Sequence, residues 1–181
     1  MSNSHNQKCN MDREVPEDNK EVTQKSIDAT KDLIKYIEYV HSPLIQPAIT
    51  PRFAISCTPD LLRGLGEIAT TDMSLRIQTH ISENLDDIAK MGELFPGNSS
   101  YADVYDSFGL LRRTTILAHA VYLGDDEVEL IAQREAGISH CPTSNFNLSS
   151  GIAPIGKYLD AGVKVRILVH STLGSHLIAL S

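Results

Sequence analysis

Four histidines stand at or just beyond the ends of aliphatic runs: His80 in "RIQTHI", His119 in "TTILAHAV", His140 in "GISHCP" and His170 in "VKVRILVH". A neutral imidazole is a common ligand of divalent metals, and it exchanges protons near neutral pH. Glu83 follows His80 by one helical turn, where a carboxylate could move protons between a metal-bound water and a substrate. The plainer reading makes Glu83 a first-turn acid that interacts with the dipole of a following helix. H-x-x-E does not by itself define a metal site, since catalytic zinc normally has three protein ligands. Arg52 and Phe53 set a guanidinium fork beside an aromatic face, a pair suited to holding a flat polar ring, although Phe53 suits an apolar core equally well. "SHCPTSN" joins His140 to a Cys-Pro pair and a polar turn that either caps the next helix or points Asn145 into a pocket.

Positioning these side chains falls to a repeating pattern of elements. Apolar residues at three- and four-residue steps from Val22 to Val40 predict an amphipathic helix, and "QPAITPRFAISC" follows as an extended segment. Thr58, Pro59 and Asp60 then mark a helix start: a hydroxyl cap, a proline at the first helical position and an acid in the first turn. "SLRIQTHI" reads as a strand before a helix from about Asn84 to Phe95, and "TTILAHAV" as a strand before a helix from about Asp125 to Ala136. "GISHCP" leads to a helix near Ile152 to Asp160, and "VKVRILV" closes the pattern as a strand ending at Val169. "FPGNSS", from Phe95 to Ser100, interrupts it as a loop. Strands alternating with amphipathic helices predict βαβ units, an α/β class and a parallel sheet covered on both faces. Loops beyond the carboxyl ends of such strands form active sites, so histidines in register at those ends carry more meaning together than singly.

The chain has 181 residues, 41% of them hydrophobic, enough for one ordinary domain with a buried core. A net charge of −7 without clustered Lys and Arg argues against nucleic acid or an anionic membrane as partner, and favours a small molecule or another protein. Three scattered cysteines, Cys9, Cys57 and Cys141, show no C-x-x-C spacing and fit a reducing, cytoplasmic setting. The first residues contain no apolar signal region, and no run approaches the roughly 20 apolar residues that span a bilayer. Residues 1–20 are polar and aperiodic, which predicts a loop or disordered segment ahead of a folded domain over 21–181.

In these residues the chain resembles the guanine deaminase family of the metal-dependent amidohydrolase superfamily. The resemblance runs from about Asn10 to about Lys164 through "NMD", "TPRFAISC", "QTHISEN", "LAHAVYL" and "SHCPTSN", five motifs in family order. It implies a zinc-dependent (β/α)8 barrel that converts guanine to xanthine and ammonia. By the same resemblance, His80 is a Zn2+ ligand that also meets the substrate, Glu83 is the proton shuttle, and His119 contacts the water and the tetrahedral intermediate. Arg52 and Phe53 hold the purine, and His140 is a pocket or structural residue. The family's H-x-H zinc pair has no counterpart in this sequence, and "VHST" at His170 stands where a metal-binding aspartate is expected. From about Arg166 the likeness ceases. Barrels of this type take about 250 residues, so a partial barrel of about five strands is expected. Its open strand edges would favour association, with homo-oligomers left open. Two alternatives follow: a non-catalytic fragment that binds a full-length subunit, and an amidohydrolase acting on another heterocycle.

Overall fold

In a computed structural model of the chain, the described residues are 19–168, with the backbone of 170–171 and 174–175. The polar segment before Asn19, the "NMD" motif, Val169 and the side chain of His170 lie outside the described residues.

Helix α1 (Asn19–Val40) packs along α2 (Pro59–Thr71), and the approach is close: Ile27 leaves no room for a Cβ on Gly64. Ile27 is buried and Ile34 partly so, whereas Leu33 and Val40 of the same apolar pattern stay exposed. The cap of α2 forms as its residues predict, with Thr58 Oγ1 accepting from Leu61 N at 3.1 Å and Pro59 in the first turn. Between these helices the expected extended segment is only partly extended. It contains a two-residue strand, β1 (Ala48–Ile49), and then tightens into a 3-10 turn at Ala54–Ser56.

The βα alternation continues with β2 (Arg76–Ile81), α3 (Leu85–Leu94), α4 (Tyr101–Ser107), β3 (Thr115–His119) and α5 (Asp125–Gln133). It ends with β4 (Gly137–His140), α6 (Pro142–Asn147), α7 (Ile155–Asp160) and β5 (Lys164–Ile167). Helix α4 follows the "FPGNSS" loop and was not anticipated. Ser100 Oγ caps it by accepting from Asp103 N at 3.2 Å, and Tyr101, Ala102, Val104 and Tyr105 bury its inner face. The buried carboxylate of Glu127 joins α4 to α5, accepting from Ala102 N at 3.0 Å and Gly124 N at 2.9 Å.

The five strands form one parallel sheet in the order β1-β2-β3-β4-β5. The expectation of helices on both faces is therefore corrected. Strands laid down in sequential order by right-handed crossovers place every helix on one side, and the other face stays open. Burial follows that rule: Ile77, Thr79 and Ile81 lie under the helices, whereas Arg76 and Gln78, which alternate with them, are exposed. Ile116 is likewise 43% exposed between buried Thr115 and Leu117. This singly wound arrangement is that of a (β/α)8 barrel carried through five strands, a partial barrel of the α/β class. The core lies between sheet and helices, around Leu62, Ile77, Leu117, Ile131, Ile138 and Tyr158.

Candidate functional site

The carboxyl ends of four adjacent strands bring the candidate residues together. Arg52 and Phe53 follow β1, His80 ends the exposed row of β2 with Glu83 in the turn beyond, His119 ends β3, and His140 ends β4. The rings of Phe53, His80 and His119 form a ladder, with centroids 4.5 Å apart for the first pair and 5.2 Å for the second. The Arg52 guanidinium lies 5.5 Å from the Phe53 centroid. Phe53 thus gives one face to His80.

The imidazoles of His80 and His119 are each oriented by an oxygen acceptor. His80 Nδ1 lies 2.7 Å from Arg52 O, and because a carbonyl can only accept, Nδ1 carries the proton. The neutral ring then keeps its lone pair on Nε2. His119 Nδ1 lies 2.7 Å from Asn145 Oδ1 and 3.4 Å from Glu83 Oε1. Asn145, on α6, is only 1% exposed. Of the two readings open for "SHCPTSN", the pocket reading holds: Asn145 points inward, while α6 has Pro142 in its first turn and no side-chain cap.

Burial dominates the electrostatics. Desolvation raises the Glu83 pKa, against the lowering effects of His80, Arg52 and a hydrogen bond with Ser150. Desolvation also lowers the pKa of His80 and of His119, the second against its hydrogen bond to Asn145. His140 is lowered by burial and then by the nearby His119. The site thus favours a carboxyl group that can keep a proton beside imidazoles that stay neutral, a combination suited to acid–base work.

Three non-glycine residues at the site hold left-handed backbone. Ser82, His119 and Ala120 all have left-handed φ, at 46°, 72° and 51°. Hydrogen bonds hold them there: Ala120 N donates to Ile81 O, and Val121 N and Tyr122 N both donate to Ser82 O, each at 3.1 Å. Three buried polar atoms nearby, Ser82 Oγ, His140 Nδ1 and Asn145 Nδ2, have no hydrogen-bond partner among the described residues. Unpartnered buried groups are uncommon, and they point to a site that works with more than the described side chains.

A metal is only partly accommodated. His80 has the carbonyl-bound Nδ1 typical of metal-ligating histidine. Among the described residues, however, no three His, Cys, Asp or Glu side chains gather closely enough to hold an ion. The described residues do not make a complete zinc centre.

Some contributors were not marked in the sequence. Tyr105, Ser150 and the helix carrying Tyr105 belong to this end of the fold, and the only local signal was Ser100 preceding Asp103 by three residues, a helix-start pattern.

Residues 5–175 match the amidohydrolase family. Over 161 residues the chain is 51% identical to the probable guanine deaminase of Schizosaccharomyces pombe, an alignment covering 87% of this chain and 30% of that protein. Identity to the guanine deaminase of Dictyostelium discoideum is 46% over 155 residues, covering 86% and 34%. The fold aligns with the crystal structure of guanine deaminase from C. acetobutylicum with bound guanine in the active site. That alignment has a TM-score of 0.77 at 40% identity and covers 80% of this chain and 34% of the other. The chain therefore spans about a third of the length of these relatives. The family match takes in β1 to β5 and every candidate residue up to His170, and the chain belongs to the amidohydrolase family.

Proposed function

We propose that this chain carries part of the active site of a zinc-dependent guanine deaminase, serving the hydrolysis of guanine to xanthine and ammonia. The observation that supports this most is the buried Glu83 carboxylate 3.4 Å from His119 Nδ1, beside the His80 and Phe53 rings, in a chain 40% identical to a guanine-bound relative.

Deamination adds water to the amino-bearing ring carbon, places a proton on a ring nitrogen and releases the amine as ammonia. Glu83 takes one proton from the water as its oxygen bonds to the ring carbon and passes it to the ring nitrogen; it then takes the second from the resulting hydroxyl and passes it to the amine, which leaves as ammonia when the C–N bond breaks. Desolvation helps by letting the carboxyl hold a proton more readily than an exposed one would. His119, steadied by Asn145, contacts the water and the tetrahedral carbon. Arg52 and Phe53 hold the purine, with His80 at its edge. Zinc would supply Lewis-acid activation of water, and among the described residues His80 Nε2 would be a donor to it. Since the described residues fall short of a full ligand set, no step is drawn through the metal. The setting is cytoplasmic on this reading, consistent with the free thiols of Cys57 and Cys141; burial pushes the Cys57 thiol up to about 11. Among the described residues no helix is long and apolar enough to cross a membrane.

The incomplete ligand set favours a second reading, a non-catalytic chain that pairs with a full-length subunit through its open strand edges. Zinc content and ammonia release from guanine, measured on the purified chain and on Glu83→Gln, separate the two. The enzymatic reading expects bound zinc in both, and turnover lowered at least ~100-fold by the substitution. A folded, metal-free and inert chain would overturn it and leave the pairing reading.

A further inference from the structure

We propose that Tyr105 is a positioning residue of this site, whose hydroxyl locks the segment bearing Arg52 and Phe53 onto β2 and so fixes the His80 imidazole. The proposal rests on the deaminase reading only for the name of the reaction that the positioning serves.

Tyr105 lies on α4 and is fully buried. Its hydroxyl donates to His80 O at 2.7 Å and accepts from Thr79 Oγ1 at 2.8 Å and from Ala54 N at 3.0 Å. A phenol has one proton and two lone pairs, so every capacity is used. The partners belong to the two segments that carry the site. Ala54 follows Arg52 and Phe53 directly, and Thr79 and His80 end β2. Two residues before Ala54, Arg52 O takes the His80 ring proton at 2.7 Å and the His80 backbone proton at 3.2 Å. The hydroxyl therefore sets the loop, the loop sets the carbonyl, and the carbonyl sets which ring nitrogen is left with a lone pair. A tyrosine that merely filled space would have no reason to bond to both segments flanking one imidazole. Tyr158, also fully buried, shows the plainer use, its hydroxyl donating to Ala120 O at 2.6 Å. Removing the phenol takes the acceptor from the buried Ala54 N–H.

Nuclear magnetic resonance of the 15N-labelled full chain tests this, at about pH 8 so that histidines are neutral. Wild type should show His80 as a single tautomer with its proton on Nδ1. Tyr105→Phe keeps the ring and removes the oxygen, and the tautomer ratio of His80 should move at least ~5-fold toward protonated Nε2. Thr115→Val is the control, deleting a buried hydroxyl that bonds Leu110 O at 2.8 Å and Arg112 N at 3.1 Å far from His80. It should lower the melting temperature without moving the His80 signals. An unchanged His80 tautomer in folded Tyr105→Phe would overturn the proposal. If that variant does not fold, the wild-type hydroxyl proton decides. A slowly exchanging resonance with cross-peaks to the Ala54 amide and His80 supports the lock, and rapid exchange with water refutes it. Neither metal nor guanine is needed, so failure here leaves the deaminase reading untouched, and an inert chain in the ammonia assay leaves this result standing.

Discussion

The two ends of the same sheet are built differently. At the amino-terminal end, Arg112 closes the gap between α2 and the starts of β2 and β3. Its guanidinium donates to Ala69 O, to Leu75 O at 2.8 Å and to Thr114 Oγ1 at 3.0 Å, while Thr115 ties Arg112 N to Leu110 O. At the carboxyl end Ser82, His119 and Ala120 take left-handed φ, against Glu135 just ahead of β4 at the other end, and Ser82 Oγ, His140 Nδ1 and Asn145 Nδ2 have no partner among the described residues. Left-handed backbone costs on the order of 1 kcal/mol or more per residue and persists only where its surroundings enforce it. One end of the sheet is thus organised for stability. The other gives up stability to hold particular side chains in place, the division expected between the two faces of a barrel.

The strongest way to break this comparison is Arg112→Met, which keeps the apolar stem and removes the donors. Charge-assisted hydrogen bonds to backbone are worth about 2 kcal/mol each, so the loss should be about 4 kcal/mol, read from urea unfolding. The His80 and His119 ring signals should not move. A cost under about 1 kcal/mol would mean that the amino-terminal end is not the anchor its bonds describe.

Much of this was legible in the sequence because it is written in local pattern. The periodicity of "RIQTHI" and "TTILAHAV" and the cap at Thr58 fixed strands and helix starts within a residue or two. His80, His119 and His140 stand at the carboxyl ends of β2, β3 and β4, where their sequence positions place them. What could not be read depends on distant partners. Which face of the sheet the helices cover follows from strand order, which no single segment encodes. Helix α4 has seven residues, too few for periodicity to separate it from the loop before it. Asn145 meets His119 across 26 positions and Tyr105 meets His80 across 25, so their roles emerge only after folding.

A second test sharpens the comparison from the carboxyl end. Asp87 is 4% exposed in the first turn of α3, accepting from Asn84 Nδ2 at 2.9 Å. Burial first, then the charges of Glu83 and Asp86, push its carboxyl up to about 6 from an ordinary 3.8. The folded chain therefore holds this proton to higher pH than the unfolded chain does. Its contribution to stability is fully present below about pH 4 and is lost as pH rises through about 6. Asp87→Asn should flatten that decline and stabilise the chain at neutral pH, by at most about 3 kcal/mol for a shift of this size. The reading is the pH dependence of the unfolding free energy between acid and neutral, and an unchanged slope would show that Asp87 ionises freely in the fold.

The smallest expected effect is the most telling. Asn145→Leu is nearly isosteric and removes two things at once, the acceptor that holds His119 Nδ1 at 2.7 Å and the buried Nδ2, which has no partner among the described residues. Losing a hydrogen bond costs about 1 kcal/mol, whereas removing an unsatisfied buried donor returns a similar amount or more. The two should nearly cancel, leaving global stability within about 1 kcal/mol of wild type, in contrast to Arg112→Met. The His119 ring, by contrast, loses its fixed orientation, and its signals should broaden or double while those at the amino-terminal end stay unchanged. If Asn145→Leu destabilised the fold as much as Arg112→Met, Asn145 would be serving the fold as Arg112 does, and the division between the two ends would fail. If stability holds while His119 is released, Asn145 is kept for the imidazole it orients, at little gain to the fold.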